Sequence, residues 1–254
     1  MNEGKPTGRR NVMDGEMITP VPKVPIAVER KGMTDKTKAV ITIVLAFVLL
    51  FGVSLVATVI WMVASGVDIL GMDEAELLAT MPGWITFLPH IVLLAVFGAM
   101  YAKTIRDDAK RMTKKNWLFT AAMAVGVLAL GIVVSIILGA LGAEEVANQD
   151  AVEGAFGTAM ILGAFGIMIA APVWEEVVFR KALGDIVKNS VVFVILSAAV
   201  FGLMHWSGVA TILYVLMGSM FAITYLKTGR NLAAAIVVHA VNNIVAAIFM
   251  LLAI

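Results

Sequence analysis

The sequence predicts an all-α fold: a polytopic membrane bundle of about seven transmembrane helices with its N-terminus in the cytoplasm. Hydrophobic residues make up 61% of the 254 residues and charged residues only 15%, whereas a soluble domain is about half apolar and a quarter charged. One globular core cannot bury this much apolar surface, so the bilayer is the expected solvent. The net charge of +1 argues against nucleic-acid binding, and the absence of cysteine excludes disulfides and thiolate chemistry.

Seven apolar segments predict the helices in order. They are residues 39–65, 84–102, 117–142, 155–179, 191–206, 209–226 and 232–254. A helix needs about 20 apolar residues to cross the hydrocarbon, and all but the fifth and sixth segments reach or approach that length. Those two are separated only by Ser207 and Gly208, which predicts a tight helical hairpin.

The charges between the segments predict the orientation. All 19 Lys and Arg residues fall in residues 1–38, 103–116, 180–190 and 227–231. The other two long connections carry acidic charges only. Because basic residues collect on the cytoplasmic side, we expect a multi-pass protein of the cell membrane whose polar tail, residues 1–38, is cytoplasmic and poorly ordered.

Adjacent carboxylates lie in the fourth segment, where a charge is costly unless it pairs, faces a cavity or reacts. Glu176 and Arg180 are four residues apart, so their side chains share one helix face and predict an ion pair. Glu175 points about 100° away around the helix and is free for chemistry. The alternative interpretation is that both glutamates are helix-end charges at the water interface.

The chain has three histidines, and two of them lie in apolar segments that follow the glutamates. His205 is the second-to-last residue of the fifth segment, and His239 precedes Asn243 by one helical turn. Taken singly, such residues are typical of helix–helix hydrogen bonding. His90 follows Pro89 and has no polar neighbour in sequence, which predicts a structural role.

Taken together, these side chains predict a site. Glu175, His205, His239 and Asn243 come from three segments and supply a base for water and donors for an oxyanion. A carboxylate with two imidazoles is also a zinc ligand set. The helix-borne HExxH signature is absent, so a zincin-type site is unsupported. The four polar groups suffice for water activation and oxyanion binding, so no cofactor is required, and zinc is left open.

At these residues the chain resembles the CAAX-processing and bacteriocin-processing (CPBP) family of intramembrane proteases. The family motifs EExxxR, FxxxH and HxxxN read here as residues 175–180, 201–205 and 239–243, and the resemblance covers roughly residues 155–250. Residues 155–254 are therefore expected to form the catalytic core, and residues 39–154 three N-terminal spans.

The resemblance implies an endopeptidase that cleaves a membrane-associated or lipidated protein or peptide within the bilayer. It implies that Glu175 and His205 activate water and that His239 and Asn243 stabilise the oxyanion. Supporting roles fall to Glu176 and Arg180. The catalytic type, glutamate or metal-dependent, stays open, as do the substrate and the oligomeric state.

Two other functions use the same residues. The first is an ion-coupled transporter in which Glu175 and the histidines relay protons. The second is a non-catalytic membrane partner or immunity protein. One feature of the pattern conflicts with a shared site: Glu175 lies about five residues from the predicted cytoplasmic boundary, whereas His205 lies about fifteen beyond the preceding loop.

Overall fold

The computed structural model describes residues 33–68, 71–72, 76–77, 80–141 and 159–253, and the regular structure in these ranges is entirely helical. The helices are α1 (Asp35–Ser65), α2 (Gly83–Lys110), α3 (Lys114–Ala140), α4 (Ile161–Ile186), α5 (Ser190–Met204), α6 (Thr211–Lys227) and α7 (Leu232–Ala253). Six of these are long and apolar enough to span a membrane, and α5 is a shorter apolar helix. The prediction of an all-α polytopic bundle is confirmed. Most of the predicted polar tail, residues 1–32, lies outside the described residues.

Side chains cap several helices where the apolar segments begin. Thr34 accepts from the backbone N–H of Thr37 at the start of α1, and Thr113 accepts from Asn116 at the start of α3. Asn189 accepts from two backbone N–H groups at the start of α5. Such caps satisfy amides that have no partner within the helix, so each of these helices starts where its sequence provides an acceptor.

The helix α4 occupies the centre of the bundle. In the most apolar 18-residue stretch of α4, 56% of the residues are buried, whereas 11–39% are buried in the corresponding stretches of the other candidate spans. The outer helices α1 and α3 instead expose large apolar side chains such as Val63 and Leu118. A surface of this kind suits lipid rather than water, which agrees with a multi-pass membrane protein.

Helix α4 also extends further than the sequence predicts. It continues past Arg180 to Ile186, so the interpretation of residue 180 as the start of a cytoplasmic loop is wrong. Arg180 is 0% exposed. The helix can continue because Arg180 has a buried acidic partner, described below, and so does not need to reach water.

Two π-helical segments, Gly166–Ala170 and Val177–Ala182, flank the turn that carries the paired glutamates. In the first, the N–H of Ala171 bonds to the carbonyl of Gly166. In the same i to i−5 pattern, the carbonyl of Ile167 would accept from the backbone nitrogen of Pro172, but a proline nitrogen carries no hydrogen. The carbonyl is thus left for a side chain from another helix. Such π segments are frequent at functional sites.

The predicted hairpin of α5 and α6 is present, and glycine makes it tight. A Cβ atom added to Gly202 would lie 2.3 Å from Cγ2 of Val215, and one added to Gly218 would lie 3.1 Å from Cβ of Phe201. Gly208, in the turn between the two helices, has a φ of 57°, a conformation that glycine adopts without steric cost. The hairpin therefore brings the end of α5 back against the bundle.

The start of α7 is anchored to the end of α2. The carboxylate of Asp108 accepts from the backbone N–H of Leu232 at 2.7 Å. The Asn231 side chain donates to the Asp108 carbonyl at 2.7 Å and accepts from the N–H of Ala234. These bonds satisfy the first amides of α7 and hold the helix that carries His239 in place.

Candidate active site

Three side chains from α4, α5 and α7 converge inside the bundle. The Oε2 atom of Glu175 lies 3.9 Å from Nε2 of His205 and 3.9 Å from Nε2 of His239. Glu175 is 4% exposed, and its Oε2 has no hydrogen-bond partner among the described residues. A separation of 3.9 Å is too long for a direct hydrogen bond, but it leaves room for one water oxygen to bond to both atoms.

His205 lies just after the last residue of α5 and uses one nitrogen to hold its place. Its Nδ1 lies 2.9 Å from the carbonyl oxygen of Phe201. Because a carbonyl only accepts, Nδ1 is the donor, and the neutral ring keeps Nε2 unprotonated towards Glu175. The ring also packs against Phe201, with 4.5 Å between centroids, and against Tyr214, with 4.9 Å between centroids. These contacts help to hold the imidazole in place.

The extended α4 accounts for most of the conflict in depth that the sequence predicts. Glu175 lies eleven residues before Ile186, the end of α4, rather than five residues from a boundary. Helix α5 has only 15 residues. From the sequence, Glu175 and His205 lie about five and about fifteen residues from the cytoplasmic boundary. In the structure these distances are eleven and 15 residues, so the difference falls from about ten residues to four and the two side chains meet.

His239 belongs to a buried chain of polar groups. Its Nδ1 lies 2.9 Å from Oε1 of Glu176, and Oε2 of the same carboxylate lies 2.9 Å from Nε of Arg180. Nη1 of Arg180 donates to Ser197 at 3.0 Å, and Ser197 donates to the carbonyl of Phe179. The predicted ion pair of Glu176 with Arg180 is thus present. The contact of Glu176 with His239 was not predicted, because helical spacing relates residues of one helix only.

The phenyl rings of Phe201 and Phe221 form the packing around these polar groups. Phe221 stacks on His239 with 4.5 Å between centroids, and Phe201 meets the same imidazole edge-on at 5.6 Å. The guanidinium carbon of Arg180 lies 5.1 Å from the centre of Phe201 and 5.6 Å from that of Phe221. The phenylalanine of the FxxxH motif therefore contacts both imidazoles and the arginine.

Asn243 is placed on the same helix as His239 but against a different part of α4. Its Nδ2 donates to the carbonyl of Ile167 at 3.0 Å, the carbonyl whose backbone partner is absent because of Pro172. Its Oδ1 accepts from Asn242 at 3.3 Å. One hydrogen of Nδ2 remains for another acceptor. The carbonyl of Ile167 in α4 thus orients the amide of Asn243, which lies one turn along α7 from His239.

His90 has a polar partner in the structure, although it has no polar neighbour in sequence. Nε1 of Trp174 donates to Nδ1 of His90 at 3.0 Å, across 84 residues of sequence. The two ring centroids are 5.8 Å apart. Trp174 immediately precedes Glu175, so α2 contacts the helix turn that carries the paired glutamates. Nothing in the local sequence around His90 indicates this contact.

The spacing of the three central groups is wide for zinc. Ligands at about 2.0 Å from a tetrahedral zinc lie about 3.3 Å from one another, whereas Glu175 is 3.9 Å from each imidazole. Among the described residues, no three His, Asp or Glu side chains are grouped so as to hold a metal ion. The steps proposed below therefore use protein groups and water.

Comparison with known proteins matches this part of the chain to a family. The family of type II CAAX prenyl endopeptidases that are Rce1-like matches residues 157–245. Residues 157–245 are therefore similar to the Rce1-like family. The Rce1-like segment contains helices α4, α5 and α6 and all three motifs. The similarity points to the class of intramembrane CAAX-type proteases.

A curated relative is similar over a longer stretch. The UPF0177 protein YajF of Lactococcus lactis subsp. lactis (strain IL1403) is 23% identical over 142 residues, which is 56% of this chain and 70% of the relative. No solved structure matches the chain.

Helices α1 and α2 precede the Rce1-like segment. The contact between His90 and Trp174 therefore joins α2 to that segment.

Proposed function

We propose that this protein is an intramembrane endopeptidase that hydrolyses a peptide bond of a membrane-associated or lipidated protein or peptide. One observation carries the proposal. A buried carboxylate oxygen of Glu175, without a hydrogen bond to any described residue, faces the Nε2 atoms of two imidazoles at 3.9 Å. Buried carboxylates are normally paired, so this arrangement is suited to bind and polarise a water molecule.

Glu175 and His205 activate the water. Nδ1 of His205 is committed to the Phe201 carbonyl, so Nε2 accepts a hydrogen bond from water. The carboxylate of Glu175 accepts the other hydrogen and takes it as a proton when the water oxygen attacks the scissile carbonyl carbon. The carbon–oxygen bond forms as the carbonyl π electrons move to the oxygen, which becomes the oxyanion.

His239 and Asn243 stabilise that oxyanion. Because Nδ1 of His239 donates to Glu176, Nε2 carries a hydrogen only when the ring is an imidazolium. With both glutamates ionised, the imidazolium and Arg180 bring the net charge of these four buried groups to zero, and such compensation is what burial of charge requires. Asn243 contributes its remaining amide hydrogen. Donors aimed at a developing oxyanion are typically the largest electrostatic contribution to acyl transfer.

Collapse of the tetrahedral intermediate completes the reaction. The carbon–nitrogen bond breaks, and the leaving amine takes the proton that Glu175 removed from water. The acyl product keeps the water oxygen and its second hydrogen, and Glu175 returns to the carboxylate. Every proton is accounted for by water and the named side chains.

The test is hydrolysis by purified protein in proteoliposomes, with an internally quenched, prenylated CAAX-type peptide as the probe. Glu175→Gln keeps the shape of the side chain but removes the base, so kcat should fall by a factor of about 10² to 10⁴. The matched control is Asp107→Asn at the cytoplasmic end of α2, where the carboxylate is 44% exposed and pairs with Lys103; it should cleave normally. A folded Glu175→Gln protein with wild-type kcat would show that the proposal is wrong.

A further inference from the structure

The hydrogen-bond pattern of His90 defines its tautomer. An indole N–H donates and cannot accept, so the bond from Trp174 makes Nδ1 of His90 an acceptor without a hydrogen. The neutral ring therefore carries its hydrogen on Nε2. This is the opposite tautomer to that of His205, whose Nδ1 donates to a carbonyl. The protein thus holds one imidazole as an Nε2 donor and another as an Nε2 acceptor.

A continuous series of ring contacts leads from His90 to the site. Its ring is 5.8 Å from Trp174, which is 6.5 Å from Phe179. Phe179 is 5.6 Å from Phe201, which in turn packs on His205. The imidazole of His90 on α2 therefore contacts Trp174, the residue that immediately precedes Glu175 on α4.

The Nε2–H group of His90 is available for a ligand. It makes no hydrogen bond to any residue that the structure describes, and the side chain is partly accessible rather than sealed in the core. The central groups are rich in acceptors, namely the carboxylate of Glu175 and Nε2 of His205. A peptide that enters a cleft away from water must have its carbonyl oxygens satisfied by protein donors. The donors proposed above, His239 and Asn243, are assigned to the oxyanion, so other carbonyl oxygens of the peptide need further donors.

We propose that His90 is a substrate-binding residue whose Nε2–H donates to a backbone carbonyl oxygen of the peptide beside the scissile bond. The inference rests on the proposed function and extends it, because it brings α2, outside the Rce1-like segment, into the substrate site. Trp174 acts as the positioning residue: its indole N–H holds His90 in the donor tautomer. A neutral donor suits a neutral carbonyl in an apolar cleft, where a charged donor would be costly to bury.

The tautomer is tested by ¹⁵N NMR of histidine-labelled protein in nanodiscs, where only three histidines contribute. Each signal is assigned by its loss in a single variant. Neutral His90 should carry its hydrogen on Nε2 and neutral His205 on Nδ1. The Nε2 signal of His90 should shift when the quenched CAAX-type peptide is added to Glu175→Gln protein. Hydrogen on Nδ1 of His90, or no shift with bound peptide, would overturn the inference.

Kinetics separate binding from a purely structural role. His90→Phe keeps a ring but loses both nitrogens, so KM should rise about tenfold with kcat unchanged, as expected for one lost hydrogen bond made equally in the ground and transition states. His90→Gln keeps an acceptor for Trp174 and a donor for the peptide and should restore most of the affinity. Equal KM values for wild type and His90→Phe, or no rescue by His90→Gln, would refute the role.

A binding measurement keeps this test independent of catalysis. The Kd of the peptide is measured for Glu175→Gln protein with and without His90→Phe, and thermal unfolding confirms that both fold. The double variant should bind about tenfold more weakly. If the wild type fails to cleave, the proposed function is wrong while this comparison still decides the role of His90. If cleavage is normal and the two Kd values agree, only the inference about His90 fails.

Discussion

Separating the two partners of Glu176 tests how the buried polar chain works. The pair of Glu176 with Arg180 is fully buried, with 2.9 Å between Nε and Oε2. At an effective dielectric constant of about 20, two unit charges at this distance attract by about 6 kcal/mol. Breaking a buried pair by removing one partner typically costs about 3–5 kcal/mol, because the remaining charge is left uncompensated.

Glu176→Gln and Arg180→Met should each therefore lower the free energy of unfolding by about 3–5 kcal/mol. The double variant Glu176→Gln/Arg180→Met leaves neither charge behind and should recover most of that loss. It should not recover activity. The amide introduced in place of the Glu176 carboxylate still accepts from Nδ1 of His239, but it places no negative charge in direct contact with the ring to stabilise an imidazolium. The kcat should therefore stay about 10² to 10³ below wild type, the loss expected for one oxyanion donor.

The measurements are denaturant unfolding in detergent and kcat for the quenched CAAX-type peptide in proteoliposomes. Ser197→Ala is a useful companion variant, since it removes the hydrogen bond to Arg180 and leaves both charges in place. A double variant as unstable as either single variant would refute the charge argument. A double variant with wild-type kcat would show that His239 does not act as an imidazolium donor held by Glu176.

Two further predictions concern the anchor of α7 and metal dependence. Asp108→Ala removes the acceptor for the N–H of Leu232 and should lower the free energy of unfolding by about 1–3 kcal/mol, with Asp107→Ala as the exposed control; equal unfolding curves would show that the bond contributes nothing. Dialysis against a strong chelator should leave kcat unchanged, because the proposed steps use protein groups and water. Loss of activity that zinc alone restores would overturn those steps and support the zinc alternative for Glu175, His205 and His239.

Several features follow from local sequence because their causes are local. Apolar segment length predicts the membrane helices, since each helix satisfies its own backbone in lipid. The ion pair of Glu176 with Arg180 was predictable for the same reason: both residues lie on one helix, four residues apart. The hairpin of α5 and α6 follows from the short polar break at Ser207 and Gly208.

Other features were decided only when the helices packed. The length of α4 depends on Glu176, because a buried partner lets Arg180 stay inside the bundle instead of ending the helix at the water interface. The donor to the Ile167 carbonyl comes from Asn243, 76 residues away, although Pro172 frees that carbonyl locally. Tertiary packing likewise pairs Trp174 with His90 and Glu176 with His239.

The sequence by itself therefore determined that this is a polytopic α-helical membrane protein with Glu175, His205 and His239 as candidate site residues. Only the tertiary structure decided that these three side chains meet and that His90 contacts Trp174, the residue before Glu175. The physical reason is that helix formation and i, i+4 pairing depend on neighbours along the chain. Contacts between helices depend on which faces pack, and an apolar sequence surrounded by lipid carries little information about that choice.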